Sequence, residues 1–298
     1  MNTSRSRAAL RLVRPAPPEA AERAVPAAGG AAGEGRLEFA RLGAKTVVRR
    51  AYARAPLKWI ATRRHSGAAW VSAGSLGGGL VGGDHLRLEV ETGEGALGFV
   101  TTQASTKVYR SGEPARQTLT ARVRPGGVLA WVPDPVVCFE GADYGQVQDF
   151  HLDPGAGLIL LDALTSGRHV WGERWKFRGY SSRTRILRGG GPVFYDHLEL
   201  SPREGPVGER LGRFNLLAFV VLVGAPLARA VETLRGETPP PLGQRPRLLQ
   251  SRGRLGEDGL VWRVAAVDPE EGMGWAKRKL GFLEGLLGDD PWARKSNG

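Results

Sequence analysis

From Leu37 to Leu200 the chain is a succession of short extended pieces, each closed by Gly, Pro or Asp before an amphipathic helix could form. Leu86, Leu88 and Val90 alternate with His85, Arg87 and Glu89, and Thr118, Thr120 and Arg122 alternate with Leu119, Ala121 and Val123. Strict alternation places one face of a strand on a core and the other in solvent. Similar pieces recur at Val47–Tyr52, Leu57–Thr62, Ala69–Ser72, Leu97–Thr102, Val128–Val132, Gln146–Leu152, Leu158–Leu161, Trp171–Phe177, Arg183–Leu187 and Val193–Leu200. With 43 Gly and 20 Pro in 298 residues, about a fifth of the chain favours turns. The spacing predicts a mainly β protein: one domain of many short strands in stacked or coiled antiparallel sheets, not βαβ units.

Helix signals come only in the second half. Pro226 stands in a first turn, Leu227, Val231 and Leu234 follow at i, i+4 and i+7, and Gly236 stops the segment. Pro239, Pro240, Pro241 and Pro246 make Thr238–Pro246 a loop. Strands are expected at Arg247–Arg254 and Leu260–Val267, and a final helix at Pro269–Leu287 with Met273, Ala276, Leu280, Leu283 and Leu287 on one stripe. Residues 1–35, rich in Ala, Arg, Pro and Gly, read as a disordered extension, and residues 36–298 as the β-rich domain with two helices.

The formal charge of +12 comes from 35 Arg and 7 Lys against 30 acids. Because only three Asn and three Ile accompany abundant Ala, Gly and Pro, the arginine excess fits a GC-rich genome better than selection for phosphate, so no nucleic-acid partner is expected. The exception is local: Phe39–Gly83 contains no Asp or Glu, while eight Arg or Lys lie between Arg41 and Arg64. That run is either a solvated strand face or a docking surface for an acidic protein. The longest apolar run, Leu216–Val223, is less than half a membrane span, so no membrane partner is expected. The single cysteine, Cys138, excludes an internal disulfide and thiolate zinc cages, and a reducing cytoplasm suits it.

Common catalytic signatures are missing. The glycine run Gly77–Gly83 leads into Asp84-His85 where a phosphate cradle needs Lys-Ser/Thr, and a carboxylate there repels phosphate. The five histidines are scattered singly. What stands out is a set of isolated acids: Asp162 inside Leu158–Leu161 and its continuation, Asp196 after Val193-Phe194-Tyr195, Asp84 after the glycines, and Glu173 between Trp171 and Trp175. Burying a carboxylate is costly unless it is paired or meets a cation. Pairing with arginine is one reading, with Arg168, Arg174 and Arg178 nearby in sequence; a polar path for a weakly held divalent ion is the other. A metal-assisted hydrolase using Asp84, Asp162 and a histidine, and a basic nucleic-acid-binding β protein, are the competing classes.

Four segments in order carry a resemblance. Gly78-Gly79-Leu80-Val81-Gly82-Gly83-Asp84, then Thr101–Ser111 (TTQASTKVYRS), Leu129–Pro135 with Phe139–Ala142, and Gly167-Arg168 with Gly172-Glu173 together resemble the urease accessory protein UreD family, called UreH in some bacteria. The third and fourth are similar to that family's "LEWLPxPxIxFxGA" and "GRxxxGE" segments. The resemblance covers about residues 37–290; Ala73–Leu76 and Pro291–Arg294 depart from the pattern. It implies a β-helix-like stack with two helices, no catalysis, and no tightly bound cofactor. It also implies partnership with UreF, UreG and the urease apoprotein, a possible dimer of the complex with UreF, GTP hydrolysis by UreG, and transient passage of Ni²⁺. Asp84 and Glu173 match motif positions, Asp162 and Asp196 are placed by distance from them, and Thr106, beside Lys107, is a further candidate for the nickel path.

Overall fold

A computed structural model describes residues 32–62, 67–238 and 243–293. The described part begins with two hairpins, β1 (Ala32–Leu42) with β2 (Lys45–Ala53) and β3 (Leu57–Thr62) with β4 (Ala69–Ser75). It then coils between two sheets through β5 (His85–Thr92), β6 (Leu97–Thr102), β7 (Thr106–Val108), β8 (Ala115–Val123), β9 (Val128–Trp131), β10 (Val136–Cys138), β11 (Asp143–Leu152), β12 (Gly157–Thr165) and β13 (Gly179–Arg188). The remaining elements are β14 (Gly191–Leu200), α1 (Val207–Arg210), β15 (Leu216–Val223), α2 (Ala228–Gly236), β16 (Leu248–Arg254), β17 (Gly259–Ala266), α3 (Pro269–Lys279) and α4 (Leu283–Leu287). One sheet has the order β14-β13-β11-β8-β5-β1-β2 and the other β16-β17-β15-β12-β9-β6-β4-β3, with β7 and β10 attached beside β12.

The mainly β class and the coil are as expected, but the coil's pairings are parallel. β5, β8, β11 and β13 run together in one sheet and β4, β6, β9 and β12 in the other. Each circuit leaves one sheet and returns by way of the other, so successive strands of a sheet point the same way. A strand of the opposite sheet thus supplies the crossover that a helix supplies in βαβ units. Glycines make the corners: Gly95, Gly126 and Gly155 have φ of 57°, 66° and 76°, and the turns stack through Gly95 N–H to Pro125 O (3.0 Å) and Gly126 N–H to Gly155 O (3.2 Å).

Two cores result. The inter-sheet core holds Leu158, Leu160 and Leu164, whereas Ile159 and Leu161 of the same strand pack with α2, α3 and α4 on the outer face. β12 is therefore buried at every position, which explains why its residues are apolar on both faces apart from Asp162 and the terminal Thr165. Asp268 caps α3, accepting from the Glu270 and Glu271 N–H groups at 2.8 and 3.3 Å, with Pro269 in the first turn. The expected final helix is broken between Lys279 and Leu283, around Gly281, yet Ala276, Leu280, Leu283 and Leu287 are all buried as one stripe, with Met273 only partly so.

Three boundaries need correction. Ala32–Gly35, read as the end of the extension, pair in parallel with His85–Leu88 as the first half of β1; residues 1–31 lie outside the described residues, as does part of the Thr238–Pro246 loop. Trp171–Phe177 is no strand: a 3₁₀ turn at His169–Trp171 ends on left-handed Gly172, and Trp175 has φ 55°. That reversal lets both Trp175 and Phe177 reach the inter-sheet core, which the alternation of a strand would also have achieved for those two positions, so the pattern misleads. Finally, a short helix, α1, precedes the two helical segments expected.

Gly224 tests the corner geometry. Its φ is 117° and an added Cβ would lie 2.0 Å from Ala156 O. Gly224→Ala should cost about 3 kcal/mol or more, seen as a lower urea midpoint with an unchanged slope.

Candidate functional site

Parity along β12 decides the site. Asp162 shares its face with Leu160 and Leu164, so its carboxylate points between the sheets at a position where packing alone would take leucine. Opposite, on β11, Gln146 and Gln148 share the inward face of Tyr144 and Phe150, and on β13 Ser182 and Thr184 lie in register with them. Asp162 Oδ2 accepts from Gln146 Nε2 at 2.7 Å, Gln148 Nε2 at 2.9 Å and Ser182 Oγ at 3.3 Å. Gln146 Nε2 also donates to Ser182 Oγ (2.9 Å), Gln148 Nε2 to Thr184 Oγ1 (3.3 Å), and Tyr144 OH to Gln146 Oε1 (3.4 Å). Among the described residues no arginine meets this carboxylate. Burial raises its pKa to about 6, the amide and hydroxyl donors restrain the rise, and the charge of Asp196 adds to it. Burial also pushes the phenols of Tyr144 and Tyr180 well above their ordinary range, so both are neutral.

A cavity of about 220 Å³ begins at Asp162, Gln146 and Gln148 and passes Leu88 and Trp131. It reaches Thr106, Asp134 and exposed Gln103 at its outer end. There Thr102 Oγ1 donates to Asp134 Oδ2 at 3.1 Å and accepts from the Asp134 N–H at 2.8 Å. The cavity therefore offers carboxylate, amide and hydroxyl oxygens at both ends and apolar walls between. Such hard donors suit a divalent cation held loosely. Among the described residues no three His, Cys, Asp or Glu side chains converge.

Of the five candidates from sequence, Asp162 and Thr106 line this cavity. Asp196 does not line it, but it faces inward from β14 in register with Thr184, one strand beyond Gln148. Arg263 binds it, with Nη2 at 2.7 Å from Oδ1. Asp84 is buried for a local reason: its Oδ2 accepts from the Val81 N–H at 2.9 Å and closes the glycine turn. Glu173 is bound by Arg168 through two hydrogen bonds, one of them Nε to Oε2 at 2.8 Å, which hold its pKa below the usual range. These two acids support loops and stand away from the cavity. No described histidine lines it either. Sequence reasoning missed Gln146, Gln148, Ser182, Thr184 and Asp134. The available signal was parity: in β11 the glutamines occupy the face carrying Tyr144 and Phe150.

Of the basic run Arg41–Arg64, Arg63 and Arg64 lie outside the described residues, and the rest is partly neutralised. Arg49 donates to Glu38 at 3.0 and 2.8 Å, and Arg50 lies 3.6 Å from it. No helix among the described residues is long and apolar enough to cross a membrane.

Comparison with known proteins places this architecture. The family model described as "UreD urease accessory protein" matches residues 31–295. The chain is 49% identical over 266 residues to "Urease accessory protein UreD" of Sorangium cellulosum, covering 89% of this chain and 85% of that one. It is 42% identical over 272 residues to the protein of that name from an Anaeromyxobacter species, covering 90% and 91%. A plant relative, "Urease accessory protein D" of Oryza sativa subsp. indica, is 36% identical over 304 residues, covering 91% and 98%.

Proposed function

Because the chain belongs to the UreD family of urease accessory proteins, we propose that it is a non-catalytic maturation factor that assembles with UreF and UreG on the urease apoprotein and helps deliver nickel to it. The observation that carries this reading is the buried Asp162 at the inner end of a cavity that carries oxygen donors at both ends. Its single carboxylate and neutral oxygens hold a borderline cation weakly enough to release it, where clustered thiolate or imidazole would retain it. In this reading Ni²⁺ is cargo: it comes from Asp196 at the far sheet edge by way of Thr184, meets Asp162, and leaves past Thr106 and Asp134 at the outer end of the cavity. Nucleotide hydrolysis falls to UreG, the setting is the cytoplasm, and a dimer of the complex with UreF is the expected assembly.

Reconstitution tests this. Purified apo-urease, UreF, UreG, GTP and nickel should give active urease only when the chain is added, and the chain alone should turn over neither urea nor GTP. Full activation without it, or turnover by it alone as a metal-assisted hydrolase requires, would sink the reading.

The remaining charge on the basic hairpin is a docking surface in the same reading, since Arg54 and Lys45 are exposed on or beside β2. Replacing Arg49, Arg50 and Arg54 with Ser should weaken assembly with the partner proteins severalfold while stability changes by about 0.5 kcal/mol or less, exposed pairs being weak. Unchanged pull-down of all partners would mean the face is only solvated.

A further inference from the structure

Of the eight tryptophans, only Trp171 is exposed, at 82%, and its neighbour Val170 is exposed at 84%. They form the tip of a braced loop. Arg168 and Glu173 clamp its base through their side chains, and the Glu173 N–H returns to Arg168 O at 3.2 Å. Gly172, at φ 78°, closes the turn on His169 O at 3.1 Å. Gly167 packs so closely that an added Cβ would lie 2.7 Å from Glu173 O and 2.8 Å from Cys138 O. An apolar pair presented on so constrained a backbone loses little conformational entropy on binding.

Contacts connect this tip to the cavity wall. The Arg168 guanidinium lies over the Phe139 ring at 4.4 Å, Phe139 meets Tyr109 edge-on at 5.2 Å, and the Tyr109 ring abuts Gly79, which lines the cavity. The same strip carries exposed cations. Lys107 packs on Gly79, Arg110 lies across Gly141, and Lys176 O accepts from the Gly141 N–H at 3.0 Å. None of the three is ion-paired among the described residues, whereas Glu173 is consumed by Arg168.

We propose that Val170 and Trp171 are the anchor by which this chain docks on the protein receiving the cavity's cargo, entering an apolar pocket rimmed by carboxylates. The inference rests on the delivery reading above, and it adds the surface and the chemistry of the partner. An exposed indole on a strip that also carries unpaired cations has the side-chain chemistry that concentrates binding energy at an interface, and the positive strip selects an acidic counterpart and speeds encounter.

The test uses the full chain in complex with UreF and immobilised apo-urease. Val170→Ser with Trp171→Ala should weaken binding at least about tenfold, chiefly through faster dissociation, with the UreF complex intact. Trp171→Phe should recover part of the loss. Serine at Lys107, Arg110 and Lys176 should slow association and flatten its salt dependence. Binding of the double variant within about twofold of wild type would overturn the anchor alone. So would self-association of the wild-type chain that the double variant abolishes, which would make the patch a face between copies. Failure of the wild-type complex to bind apo-urease at all would overturn the delivery reading and the anchor with it.

Discussion

Asp162→Asn is expected to stabilise the protein near neutral pH while impairing its role. The carboxyl titrates at about 6 when folded against an ordinary 3.8. A carboxyl whose pKa is raised by folding costs nothing below about pH 4, where both states are protonated. The cost grows as pH rises toward 6, and above that the penalty is constant at about 3 kcal/mol, from 1.36 kcal/mol per pKa unit. Asparagine has the same shape and no charge to desolvate. Its carboxamide oxygen can replace Oδ2 as the acceptor for Gln146, Gln148 and Ser182. Thermal melts across that pH range should show the variant's advantage open between about pH 4 and 6 and then level off. A difference that is flat in pH would mean that Asp162 is not strained by its burial.

The second large effect concerns the donors. Gln146→Leu with Gln148→Leu removes two of the three groups that hold the carboxylate and leaves Ser182 alone. Both amides lower the Asp162 pKa, so their loss raises it further. The double variant should lose roughly 3 kcal/mol at pH 7.5, since a buried charge stripped of partners is costly. The deficit should shrink on acidification, because the protonated acid carries no charge to solvate. Urea titrations at pH 5 and 7.5 separate this from a packing defect, which would cost the same at both. A loss independent of pH would remove the glutamines from the site's electrostatics.

The coil was legible because its corners are built from Gly and Pro, and because inward and outward residues alternate in β5 and β8. Parallel pairing was not. Local alternation is the same for either direction, and only the circuit between sheets determines it. Trp171–Phe177 shows the converse failure, in which an alternation arises from two aromatics brought inward by a left-handed turn. For the acids, isolation in sequence signalled burial but not purpose. Glu173 finds Arg168 five residues away, and Asp84 finds its own turn. Asp196 finds Arg263 67 residues away, where no local reading can look. Asp162 was conspicuous as a carboxylate within an apolar strand, while the glutamines that bind it looked like ordinary exposed polar residues.

The central claim is that the carboxylate of Asp162 serves the passage of nickel and not the fold. The most direct measurement is the nickel content of urease purified from cells producing the wild-type chain or Asp162→Asn, with UreF pull-down and a melting curve on each. The account predicts an assembled, stable complex and urease carrying well under half its nickel, with activity lost in proportion. Fully loaded, fully active urease from the Asp162→Asn cells would contradict it.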